Sequence, residues 1–131
     1  MKDASGRTSD WFAKAEADLR AAEMVLNAED PVTDIACYHA QQCAEKYLKG
    51  YLVSREIPFR FVHELAYLTR LCMDVDSDFA SLLGPAAELQ DYASDVRYPL
   101  EGVSALALQD ARGAIERARL IREFVLSRIA P

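Results

Sequence analysis

The stretch Tyr38-His39-Ala40-Gln41-Gln42-Cys43-Ala44-Glu45-Lys46-Tyr47-Leu48-Lys49 decides the fold of this chain. Cys37, Ala40, Ala44, Tyr47, Leu48 and Tyr51 recur at steps of three and four, which places them on one side of an α-helix. His39, Gln42, Lys46 and Lys49 keep the same steps on a separate stripe. This helix is predicted over residues 33–54. Upstream, Glu29-Asp30-Pro31 ends whatever precedes it, because proline cannot continue a helical hydrogen-bond ladder. Downstream, Pro58 disfavours helical geometry at the residue before it.

Working outward, every neighbouring segment is helical too. Trp11, Ala15, Leu19, Ala22 and Leu26 share one face of a first helix that starts at Ser9, with Thr8 or Ser9 as its cap. Residues 1–8 are polar and expected to fray. A third helix, residues 64–73, carries Leu65, Leu68, Leu71 and Cys72. Asp74, Asp76, Ser77 and Asp78 read as a turn that caps the next helical segment. A short helical turn over 79–83 then leads to a fresh helix with Pro85 first, using Ala86, Leu89, Tyr92 and Ala93. Residues 95–102 read as a loop. The last helix, residues 104–129, is held by Ala107, Ala111, Ala114, Ala118, Ile121, Val125 and Ile129. Alanines on that stripe let a neighbouring helix approach closely. No sustained period-two alternation competes. Short connections make consecutive helices antiparallel neighbours, so the expectation is an all-α, five-helix up-and-down bundle over residues 9–131.

Composition narrows the function. With 131 residues, 51% of them apolar, the chain can bury one core without staples. A net charge of -6 gives no general attraction for phosphate backbones, so non-specific nucleic-acid binding is not expected. Cys37, Cys43 and Cys72 form no CxxC pair and have only two histidines to join them, so no metal site is expected. They read as small apolar side chains in a reducing compartment. No apolar run is long enough to span a bilayer, and the N-terminus lacks the hydrophobic stretch of a signal peptide. A cytoplasmic location with no membrane contact is expected, and no cofactor is called for.

Residues 38–49 resemble the second-helix signature of HEPN domains. Trp11 and Asp18-Leu19 in the opening helix, His63-Glu64-Leu65 at the third and Arg97-Tyr98-Pro99 before the last extend the resemblance over residues 10–128. It implies a five-helix domain, often a homodimer, frequently coupled to a small nucleotidyltransferase. A similar helical domain completes the active site of aminoglycoside nucleotidyltransferases, which suggests a nucleotide ligand. Other members are ribonucleases, several of them toxins, and these share an Arg-x4–6-His motif near the last helix. Here no histidine follows Arg97. Arg60 and Arg55 precede His63 at the wrong spacing and in the wrong loop. Ribonuclease chemistry of this kind needs a group that moves a proton near neutral pH. An atypical ribonuclease toxin is therefore the alternative, and no catalytic residue is assigned.

His39, Gln42, Lys46 and Lys49 form the most function-like constellation, since an imidazole, an amide and two ammonium groups can hold phosphates or a base. A solvated face with Glu45 pairing Lys49 at i, i+4 gives the same pattern. His63 is a further candidate for ligand binding, with a cap of the third helix or a buried polar group bonded to nearby backbone as the structural alternatives. Arg97 and Tyr98 are loop candidates for ligand binding, and Arg97 pairing with Asp95 or another carboxylate is the structural alternative. The aromatic residues, Phe59 and Phe61 among them, offer either a stacking platform or ordinary core and interface. Basic residues Arg112, Arg117, Arg119, Arg122 and Arg128 contrast with the acidic stretch 74–95. That asymmetry either docks a partner of opposite sign or marks ordinary helix faces.

Overall fold

The computed structural model describes residues 4–97 and 108–129, with side chains from 7–92 and 108–129. It is an all-α, five-helix up-and-down bundle: α1 (Ala4–Leu26), α2 (Thr33–Ser54), α3 (Leu65–Val75), a 3₁₀ turn (Ser77–Leu82), α4 (Leu83–Arg97) and α5 (Leu108–Ser127). Among the described residues there is no strand, and no helix is long and apolar enough to cross a membrane.

α2 is the central helix, packed against α1, α3, α4 and α5. Its 22 residues include 15 that are buried, so it is covered nearly all round from Ala36 onward. Gly50 lets α1 come close: a Cβ there would lie 2.5 Å from Phe12 Cε1 and 3.1 Å from Trp11 Cβ. The other helices each contribute one stripe. Ala15, Leu19 and Ala22 of α1, Leu65, Leu68 and Cys72 of α3, and Ala86 and Leu89 of α4 are all buried. So are Ala111, Ala114, Ala118, Ile121 and Val125 of α5. Tyr51, Phe79 and Phe124 touch in sequence through the core, the first pair tilted and the second edge-on, with centroid separations of 4.5 and 4.9 Å. The three cysteines are free and buried, and burial pushes their thiols up to about 11 (Cys37) and about 12 (Cys43, Cys72).

Several boundaries differ from the sequence reading. α1 begins at Ala4, so Thr8 and Ser9 lie inside it rather than capping it, and the expected fraying over residues 4–8 gives way to helix. Thr8 is buried, and it shares a groove with Ser54, Arg55 and Arg128, so tertiary packing carries the helix past its weak formers. Pro85 is the third residue of α4, not the first. Amides of a first helical turn have no intrahelical acceptor, so proline is tolerated throughout it. α4 also runs on through 95–97, part of the expected loop, because nothing in that segment breaks a helix before Pro99. The expected start of α5 at residues 104–107 lies outside the described residues.

Candidate functional site

The polar stripe of α2 divides into two clusters with different surroundings. The first is built on Asp18 of α1. Its carboxylate takes His39 Nδ1 on one oxygen at 2.9 Å and the Lys46 ammonium on the other. An imidazole that donates Nδ1–H to a carboxylate keeps Nε2 as its free nitrogen. His39 and Lys46 remain 30% and 24% exposed, so this cluster reaches the surface. Tyr38 stands edge-on to the His39 ring, 5.4 Å between centroids.

The second cluster is buried and centred on Glu45. Lys49 Nζ donates to Oε2 at 3.1 Å, with 6% of the Lys49 side chain exposed. His63 Nδ1 lies 3.1 Å from each carboxylate oxygen. Gln42 Nε2 donates to Gln41 Oε1 at 2.9 Å, and Gln41 Nε2 donates onward to the His63 carbonyl at 3.3 Å. Lys49 Nζ also stands over the Trp11 and Phe59 rings, 5.8 and 5.7 Å from their centroids. The geometry is that of a satisfied internal network, with every group spent on another.

The seven sequence candidates are therefore not one site. His39 and Lys46 meet at Asp18, while Gln42, Lys49 and His63 join through Glu45 and Gln41. Neither structural reading of His63 holds. The α3 cap position is Glu64, without a side-chain cap bond, and the free amide of Leu65 is met instead by Gln90 Oε1 at 2.8 Å. The His63 ring is mostly exposed and reaches back to α2. Arg97 ends α4 with its side chain outside the described residues, and Tyr98 lies outside them altogether. The i, i+4 pairing of Glu45 with Lys49 is present. Spacing along the chain carried no sign of Asp18 as the shared partner, because it comes from α1, 21 residues before His39.

A third polar contact joins α1, α2 and α5: the Tyr47 hydroxyl and the Arg122 guanidinium both donate to Glu16 Oε1. Burial presses the Glu16 carboxyl upward, but these two donors outweigh it and hold it below the usual carboxylate value. Three more arginines are spent inside the chain, Arg117 and Arg119 of α5 on Glu88 and Glu23, and Arg128 just past α5 on Asp76 and Asp78. The charge asymmetry of the sequence thus closes largely on itself. Among the described residues, no three histidine, cysteine, aspartate or glutamate side chains gather to hold a metal ion.

One apolar stripe stays uncovered. Val32, Ile35 and Tyr38 recur at steps of three along the start of α2 and are 55%, 45% and 36% exposed. Between them, Asp34 keeps a buried carboxylate oxygen with no hydrogen-bond partner among the described residues.

Comparison with known proteins agrees with this architecture. A family model described as HEPN domain matches residues 8–129. An archaeal HEPN homologue of known crystal structure, ST0689, is 30% identical, covering 99% of this chain and 100% of that one, with a TM-score of 0.75. The crystal structure of TT1696 from Thermus thermophilus is also similar, 30% identical over 94% of this chain and 98% of that one, with a TM-score of 0.78. No curated protein matches.

Proposed function

This chain belongs to the HEPN domain family, and from that premise we propose that it is a cytoplasmic interaction subunit that homodimerises and pairs with a minimal nucleotidyltransferase. One contrast carries the reading. Gln42, Glu45 and Lys49 of α2 are satisfied within the chain, while Val32, Ile35 and Tyr38 are left to water. Apolar side chains repeated along one helix face are what a partner helix covers. Tyr38 touches the His39 ring, so a protein seated on this face also overhangs the Asp18–His39–Lys46 cluster. A nucleotide in this reading is held at that seam, its phosphate on Lys46 and a base N–H or ribose hydroxyl donating to the free Nε2 of His39. The ribonuclease alternative gains nothing from the two histidines, neither of which follows Arg97 as the Arg-x4–6-His motif requires.

The test is light-scattering mass, alone and after co-expression with a minimal nucleotidyltransferase encoded beside it. Wild type is expected at twice the 14.6 kDa chain mass, and Ile35→Lys with Tyr38→Lys at the single-chain mass with unchanged helical circular dichroism. The nucleotidyltransferase is expected to co-elute with wild type. A wild-type monomer that elutes without the nucleotidyltransferase overturns the reading.

A further inference from the structure

At the end of the bundle where α1 begins and α2 ends, a cleft of about 580 Å³ opens between the two helices and the segment after α2. Its size is that of a small-molecule site. Trp11 and Phe59 form an edge-on pair in its lining, 6.3 Å between centroids, and the Lys49 ammonium against both rings fixes them in place. Phe61, 98% exposed, stands beside them and has nothing to pack on. Arg7 and Glu56 are the two charged residues of the lining; neither side chain is paired with the other or with any described residue.

The backbone gives a second, independent observation. α2 ends in a paired bond pattern, Ile57 N–H to the Leu52 carbonyl at 2.9 Å and Glu56 N–H to the Val53 carbonyl at 3.1 Å. This is the Schellman arrangement, whose left-handed position glycine normally fills. Here that position is Glu56, at φ 57°. A glutamate costs stability there, and such cost concentrates where a side chain is needed for function. Its carboxylate is thereby set at the cleft, opposite in sign to Arg7.

We propose that this cleft binds an aromatic α-amino acid. The ring packs on Trp11 and Phe59, the carboxylate meets Arg7, the ammonium meets Glu56, and Phe61 closes over the ring. The two charges select the class. A ring carrying only phosphate or carboxylate would face Glu56, and a ring carrying only an amine would face Arg7, so each half-molecule keeps one repulsion.

Trp11 is the sole tryptophan of the chain, so its emission reads the cleft directly. Titration with phenylalanine is expected to shift that emission saturably, while hydrocinnamate (no ammonium) and phenethylamine (no carboxylate) bind about tenfold more weakly or worse. Arg7→Gln should weaken phenylalanine about tenfold. Glu56→Gly should weaken it similarly while making the chain more resistant to urea, a combination that mere loss of folding cannot produce. The proposal is overturned if phenylalanine at about 10 mM leaves the emission unchanged, or if all three compounds or adenosine monophosphate act alike. It is equally overturned if the emission tracks protein concentration instead, which would mean that a second copy's aromatic fills the cleft.

Discussion

At the scale of the residue, this chain buries a small polar network on α2 around Glu45. Glu45 accepts from Lys49 and meets His63, and removing it strands an ammonium that is only 6% exposed. An uncompensated buried charge is strongly destabilising, whereas replacing a whole buried pair by apolar groups is often nearly neutral. Glu45→Ala is therefore expected to lower unfolding stability by about 3–5 kcal/mol. Glu45→Leu with Lys49→Met should recover most of that loss, since Gln41 still has the His63 carbonyl to bond. Urea unfolding of the three proteins checks it; a double variant no better than the single one would mean that the pair stabilises on its own account. Sequence spacing revealed the Glu45–Lys49 pairing because both residues lie on one helix. The reach of His63 onto Glu45 was hidden, since it depends on where the loop after α2 returns to the bundle.

At the scale of the element, two glycines separate helix propensity from packing. Both lie in helices, where alanine is intrinsically preferred by about 1 kcal/mol. At Gly84 an added Cβ meets nothing within 4 Å, so Gly84→Ala should stabilise by up to about 1 kcal/mol. At Gly50 the same atom would sit 2.5 and 2.8 Å from two Phe12 ring carbons and 3.1 Å from Trp11 Cβ, an overlap the α1–α2 contact relieves only by moving apart. Gly50→Ala is expected to destabilise by about 1–3 kcal/mol despite its better propensity. The two denaturation midpoints should move in opposite directions. Helix existence was readable from the sequence in every case, because the apolar steps of three and four are local. Helix ends were less so. Thr8 and Ser9 look like caps, and residues 95–97 like loop, until packing and the absence of a breaker carry α1 and α4 past them.

At the scale of the whole molecule, charge and pH bear on the bundle through groups spread over several helices. The basic α5 meets acids of α1, of α4 and of the segment before α4, so its arginines tie the ends of the chain together rather than forming an open positive field. Three buried thiols set an alkaline limit. Each is raised by burial from an ordinary value of 9.0 to about 11 or 12, so above pH 9 the unfolded chain loses these protons first. The unfolded state then binds fewer protons than the native one, and stability falls as pH rises. Burial and the bond to Glu16 push the Tyr47 hydroxyl up as well, which adds to the same slope. Urea midpoints are expected to decline steadily from about pH 9 toward about pH 11, and a variant with all three cysteines changed to alanine should show a shallower decline from a lower starting point. Equal slopes would mean that the thiols do not titrate differently in the two states.

The sequence by itself determined that the chain is helical throughout, where its core faces lie, and which family signature it carries. These rest on periodicity and on short motifs, which are properties of neighbours along the chain. Only the tertiary structure decided that the α2 stripe splits into a surface cluster on Asp18 and a buried one on Glu45. It alone left Val32, Ile35 and Tyr38 uncovered. It also brought Arg7, Trp11, Glu56, Phe59 and Phe61 around one cleft. The physical reason is common to all three. Spacing fixes the face of a helix on which a side chain lies, but the burial, partner and charge of that side chain depend on the helix that packs against it.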